Sequence, residues 1–124
     1  MCKVIYHPYY SKYNPGEGHP FNPVRIEMVI DLLKELGLLK NVLQPEPVKP
    51  EDLYKIHSKD YVDAVESLSS GENKYDAEII GLGSLDNPVF PGMGEAARYQ
   101  VGGSMLGAKL LLQDEAKLVL QMGG

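Results

Sequence analysis

Lys117-Leu118-Val119-Leu120-Gln121-Met122, closed by Gly123-Gly124, is the segment on which the architecture turns. It is an apolar, strand-like run, and it directly follows a helical pattern. From Gly94 to Gln113 the apolar positions Ala96, Ala97, Val101, Met105, Ala108, Leu111 and Leu112 fall at helical spacing. A helix leading straight into an apolar strand is half of a βαβ unit, which argues for an α/β fold with a mostly parallel sheet. In open sheets of that kind the reactive groups sit just beyond the carboxyl ends of the strands. Gly123 and Gly124 stand at such an end. The helix before them carries Gly102, Gly103 and Gly107, each about 1 kcal/mol less favourable than Ala in a helix interior. Something must offset roughly 3 kcal/mol, and the simplest cause is a helix backbone pressed against the sheet or a neighbouring helix.

Working back from that segment, Lys3-Val4-Ile5-Tyr6 reads as a short first strand. It runs into a long loop containing Pro8, Pro15, Gly16, Gly18, Pro20 and Pro23. Connections over about a dozen residues without structure of their own are usually functional or disordered. This one carries Tyr6, Tyr9, Tyr10, Tyr13, His7 and His19, a composition that suits an ordered site wall. Asn22 makes an N-cap with Pro23 at the first helical position; Val24, Met28, Val29, Leu32, Leu33 and Leu36 follow at helical spacing until Gly37. A short apolar piece at Val42-Leu43 comes next, and Pro50 then starts a helix through Leu53, Tyr54 and His57. Ser58 caps another helix with Tyr61, Val62, Val65 and Leu68, ending at Gly71. Residues 71–94 are rich in Gly, Pro, Asp and Asn, with only Glu78-Ile79-Ile80 apolar enough for a turn, and read as a loop.

The chain has 124 residues, 44% of them hydrophobic, which is enough for one core and excludes a disordered tether. Net charge is −5; residues 1–62 carry eight basic and eight acidic side chains, residues 63–124 four and nine. No basic stripe is present to neutralise phosphates, so nucleic acid is not the expected partner. No apolar run is long enough for a membrane span and no charged-then-apolar leader is visible, so a cytoplasmic address is expected. Cys2 is the lone cysteine, so no disulfide or Cys-based metal site is expected within the chain.

By themselves the residues offer little catalytic hardware. His7, His19 and His57 have no carboxylate or second His at metal-ligand spacing, and read as hydrogen-bonded structural groups. Gly81-Leu82-Gly83-Ser84-Leu85-Asp86 lacks the third Gly and the helix start of a dinucleotide loop. No nucleophile elbow or phosphate-cradling Gly-Lys-Thr is present.

The combination says more. Gly18-His19-Pro20-Phe21-Asn22-Pro23-Val24-Arg25 is followed by Leu53-Tyr54-Lys55-Ile56-His57-Ser58-Lys59-Asp60-Tyr61-Val62, then by Gly83-Ser84-Leu85-Asp86-Asn87-Pro88-Val89-Phe90-Pro91-Gly92. Gly102-Gly103-Ser104 and the strand ending in Gly123-Gly124 complete the order. This series resembles the N-terminal third of the histone deacetylase superfamily, most closely its bacterial and archaeal acetoin-utilisation branch.

The resemblance implies an arginase/deacetylase-like three-layer α/β/α fold, with residues 1–124 forming a single incomplete domain. Arg25 matches an Arg lining an internal channel through which acetate leaves; the alternative is an Arg paired with a carboxylate that pins the N-terminal loop. Asp86 matches the rim Asp that positions substrate by accepting hydrogen bonds from the backbone beside the acyl-lysine, a strong charge-assisted arrangement. The alternative is a turn cap before Asn87-Pro88. Gly123 and Gly124 match a Gly-Gly pair at the base of the pocket. His19 and His57 match residues that fix loops and helix ends. The family's general-base His pair, its zinc ligands and its oxyanion-stabilising Tyr match no residue of this chain. Zinc is thus implied for the complete enzyme, acting on an acetylated lysine or small amide, while the chain alone is expected to hold no metal and to be inactive. An incomplete parallel sheet should leave the 117–122 edge and the Gly-rich helix face uncovered, so a homo-oligomer is expected as well.

Overall fold

The computed structural model describes residues 2–123. Strand β1 (Cys2–Ile5) lies between β2 (Val42–Leu43) and β3 (Leu118–Gln121), and both pairings are parallel. Val4 is in register with Val42 and Leu120, and Ile5 with Leu43 and Gln121. The Tyr6 N–H donates to the Leu43 carbonyl at 3.0 Å, continuing the pairing past the strand end. The α/β class and the parallel sheet are those expected from the helix-then-strand pattern.

Four helices connect and cover the strands: α1 (Val24–Glu35), α2 (Pro50–Leu53), α3 (Lys59–Ser70) and α4 (Met93–Leu112). A 3-10 turn over Pro8–Lys12 precedes them. Ser58 caps α3 as expected, its Oγ accepting the Tyr61 N–H at 3.3 Å. Helix α1 starts at Val24, one residue later than expected, with Pro23 at the cap; Asn22 still contributes, its Oδ1 accepting the Val24 N–H at 3.0 Å. Helix α2 is shorter than expected. It ends at Leu53, and His57 lies in a succession of turns in which the Ile56 and His57 N–H groups both donate to the Leu53 carbonyl. One carbonyl shared by two donors closes the segment instead of propagating a ladder.

Adjacent residues of a strand face opposite sides of the sheet. On one side Ile5 packs with Leu110 and Ala116, joined by Leu43, Leu106 and Val119, beneath α4. The Gly-rich face of α4 is therefore covered, as its glycines led one to expect and against the expectation that an incomplete sheet leaves it open. A Cβ on Gly102 would fall inside contact distance of the Glu46 carbonyl oxygen, and one on Gly103 would overlap the Tyr10 hydroxyl. A Cβ on Gly107 would come within 3.2 Å of Val119 Cγ1. The glycines exist because backbone meets backbone and side chain there, which accounts for their cost to the helix.

The other side is less covered. Val4 is buried, but its face-mates Leu118 and Leu120 are 61% and 39% exposed. Helix α1 shows the same imbalance. Ile26 and Ile30 are its buried residues; of the apolar stripe that the spacing marks, Leu33 is half-buried, whereas Val24, Met28, Val29, Leu32 and Leu36 are exposed. The helix is apolar on more than one side, so periodicity alone picked the side that this chain leaves in solvent.

Candidate functional site

The Tyr-rich loop after β1 is ordered, and it forms a wall. His7 Nδ1 accepts the Tyr9 N–H at 3.0 Å, and the His7 and Tyr9 rings both stack on Tyr99 of α4, with centroids 4.3 and 4.6 Å away. The Tyr9 hydroxyl donates to Glu95 Oε2 at 2.9 Å, and that carboxylate pushes the phenol's pKa up. Tyr10 is fully buried; its hydroxyl accepts from Gln121 Nε2 at 3.1 Å, and burial raises its pKa. Gln121 Nε2 also donates to the Gln100 carbonyl at 3.2 Å, so one amide ties the loop, the end of β3 and α4 together. The sequence reading passed over this role. Its trace was a lone amide at an inward-facing position of an otherwise apolar strand.

Beyond the wall, Tyr13 meets Phe21 and Phe90 edge-on at 5.9 and 5.2 Å. That contact brings the Gly18–Arg25 segment beside the loop that carries Asp86. There His19, Pro20, Ser84 and Asp86 line an open cleft of about 670 Å³. The loop is tied to itself: the Gly83 N–H donates to the Asn87 carbonyl at 2.8 Å, and the Asn87 N–H to Ser84 Oγ at 3.1 Å. The side chain that caps this turn is therefore Ser84. The Asp86 side chain is exposed, and among the described residues its carboxylate receives no hydrogen bond from the chain.

Arg25 and Gly123 come together. With Phe21, Asn22, Ile26, Val29 and Met122 they line a second cleft, about 270 Å³, where the N-terminal half of α1 meets the carboxyl end of β3. Among the described residues Arg25 forms no ion pair. Gly123 has φ +125°, which side-chain-bearing residues rarely adopt, and a Cβ there would sit 3.5 Å from the Gln100 side chain. Gly124 lies outside the described residues.

The three histidines are occupied in ways that leave no ligand set. His7 is stacked, His57 lies against the Tyr61 ring with centroids 5.4 Å apart, and both ring nitrogens of His19 are engaged. Cys2 is an exposed free thiol. Among the described residues no group of three His, Cys, Asp or Glu side chains could hold a metal ion. The described residues therefore do not fit the zinc that the resemblance implies. Nor, among the described residues, is any helix long and apolar enough to cross a membrane.

A three-stranded parallel sheet with connecting helices, and a cleft at the carboxyl end of β3, defines an α/β domain. The model of the histone deacetylase domain family matches residues 19–124, and the chain belongs to that family. It is 35% identical over 123 residues to the acetoin utilization protein AcuC of Bacillus subtilis (strain 168), covering 97% of this chain and 32% of that protein. It is 33% identical to histone deacetylase 19 of Arabidopsis thaliana over 126 residues, and 30% identical to histone deacetylase 1 of Homo sapiens over 131. Those alignments cover 97% and 98% of this chain but 25% and 27% of the relatives. The chain thus spans about a quarter to a third of the length of these relatives.

Proposed function

We propose that this chain forms the substrate rim and part of the inner channel of a zinc-dependent deacetylase domain whose catalytic groups lie in further sequence. The reaction is hydrolysis of an acetyl-amide on lysine or on a small amine. The observation that carries this reading is the meeting of Arg25 and Gly123 in one cleft at the carboxyl end of a parallel strand, where α/β folds place their ligands. Asp86, with its exposed and unengaged carboxylate, suits a rim acceptor for two substrate amides, and orientation of that kind supplies a large share of many barriers. Arg25 offers a fixed positive charge for a departing carboxylate. The residues on this chain bind and orient.

The test uses metal analysis and an acetyl-lysine peptide hydrolysis assay. The 124-residue chain should hold no stoichiometric zinc and cleave nothing, while Asp86→Ala in a polypeptide with the complete domain should raise KM. One tightly bound zinc per isolated chain would overturn the reading.

A second reading is a non-catalytic oligomerising module. It is favoured by the exposed stripe Val24, Met28, Leu32 and Leu36 on α1 and by exposed Leu118 on an edge strand, since such faces drive association. Both readings give the same surface a partner: the remainder of a deacetylase domain in the first, a second copy in the other.

A further inference from the structure

We propose that His19 is a positioning residue that clamps the Asp86 loop onto the segment leading into α1, fixing the direction in which the Asp86 carboxylate is presented. This deepens the rim reading above and rests on it.

The two bonds of the imidazole settle its tautomer. Nδ1 accepts the Phe21 N–H at 3.0 Å, so it carries no proton; the ring proton is on Nε2, which donates to the Asp86 carbonyl at 3.0 Å. Each nitrogen thus holds one side of the cleft. The first fixes the turn that precedes Asn22 and α1. The second reaches across 67 positions of sequence to the rim loop.

That loop needs such a tether. Its own bonds, Gly83 to Asn87 and Asn87 to Ser84, close it on itself without anchoring it to the body of the protein. Its apical Leu85 is 94% exposed, so packing does not hold the apex, and the loop's aromatic contact, Phe90 on Tyr13, lies at its far end. The His19 bond lands on the backbone of Asp86 itself, which leaves the carboxylate free while limiting where it points. A loop fixed in this way gives up less conformational freedom when it binds substrate amides.

Two substitutions separate the two bonds. Asn places its Oδ1 near the position of imidazole Nδ1, keeping the Phe21 bond and losing the reach to Asp86. Gln places an N–H near the position of Nε2, keeping the reach and losing the local turn. In the chain, NMR of the ring nitrogens should show an Nε2-protonated His19 with a coupling across the hydrogen bond to the Asp86 carbonyl. His19→Asn should speed amide exchange at Gly83 and Asn87 by about 3- to 10-fold, the range for one lost hydrogen bond, and His19→Gln should restore most of the protection. In a polypeptide with the complete domain, His19→Asn should raise KM for an acetyl-lysine peptide by a similar factor, leaving kcat near its original value, with His19→Gln again the milder change. Equal effects of Asn and Gln, or an Nδ1-protonated ring, would overturn the clamp. If Asp86→Ala raises KM but His19→Asn does not, the inference fails and the rim reading stands. If the loop loosens in His19→Asn but neither variant changes KM, the rim reading fails, and with it the role in substrate positioning.

Discussion

Replacing Gly102, Gly103 and Gly107 of α4 one at a time by Ala sets helix propensity against packing. Propensity alone gives each substitution a gain of about 1 kcal/mol. The structure separates them by what a new methyl group would meet. At Gly102 it meets the Glu46 carbonyl, which is backbone and is braced by the Val48 N–H donating to the Arg98 carbonyl at 3.2 Å. Overpacking of about 3 kcal/mol, the upper end of the usual range, leaves a net loss of about 2 kcal/mol. At Gly103 the methyl meets the hydroxyl of fully buried Tyr10 and breaks its bond to Gln121. About 2 kcal/mol of overpacking and about 1 for the bond, against the propensity gain, again give a net loss of about 2 kcal/mol. At Gly107 the nearest atom is a side-chain methyl of Val119 at 3.2 Å, which a small shift relieves, so the result should be near zero. For a chain of this size 2 kcal/mol is a fall of about 8 °C in Tm, readable by circular dichroism at the helix band. The two costly sites differ in remedy. Tyr10→Phe removes the nearest atom over Gly103 while Gln121 Nε2 stays 2.8 Å from the new methyl position, and should recover about half of the loss there, a coupling of about 1 kcal/mol in a double-mutant cycle, while leaving Gly102→Ala unrescued. A rise in Tm for Gly102→Ala, or a Gly103→Ala loss unchanged by Tyr10→Phe, would refute the packing argument.

Further expectations concern charge, association and the α3 cap. Asp63 is held below the ordinary carboxylate range, first by the Lys59 hydrogen bond and then by the Tyr54 hydroxyl. A lowered folded-state pKa means that its contribution is present above the unfolded value and disappears as pH falls through the lower folded one. The Tm difference between the original chain and Asp63→Asn should accordingly shrink on acidification below about pH 4, and a difference that is flat or grows there would contradict the assignment. Light scattering should find the chain associated, and Leu118→Lys combined with Leu32→Lys should shift it towards monomer; a monodisperse monomer at the outset would count against self-pairing. Ser58→Ala removes the acceptor for the Tyr61 N–H and should cost about 1 kcal/mol in chemical denaturation.

Local chemistry made much of this molecule legible. The Ser58 cap, the Gly71 stop and the apolar run after α4 are short-range signals, and the corresponding elements lie within a residue or two of the expected ones. Helix α2 was overextended because a carbonyl shared by two donors leaves no mark on composition. The α1 stripe was misassigned because a helix apolar on two sides has no periodicity that says which side faces inward. Of the candidate site, Arg25, Asp86 and Gly123 are readable as motif positions, but that Arg25 and Gly123 share a cleft, and that His19 bonds the Asp86 backbone, depends on contacts across 67 or more positions.

The sequence by itself determined the class of fold, the parallel sense of the sheet and the need for close packing at three glycines, because each follows from neighbouring residues and backbone freedom. Only the tertiary structure decided what those glycines pack against, which face of α1 is buried, and which imidazole nitrogen of His19 carries the proton. Those depend on where distant backbone carbonyls and N–H groups come to rest, and no local pattern encodes that placement.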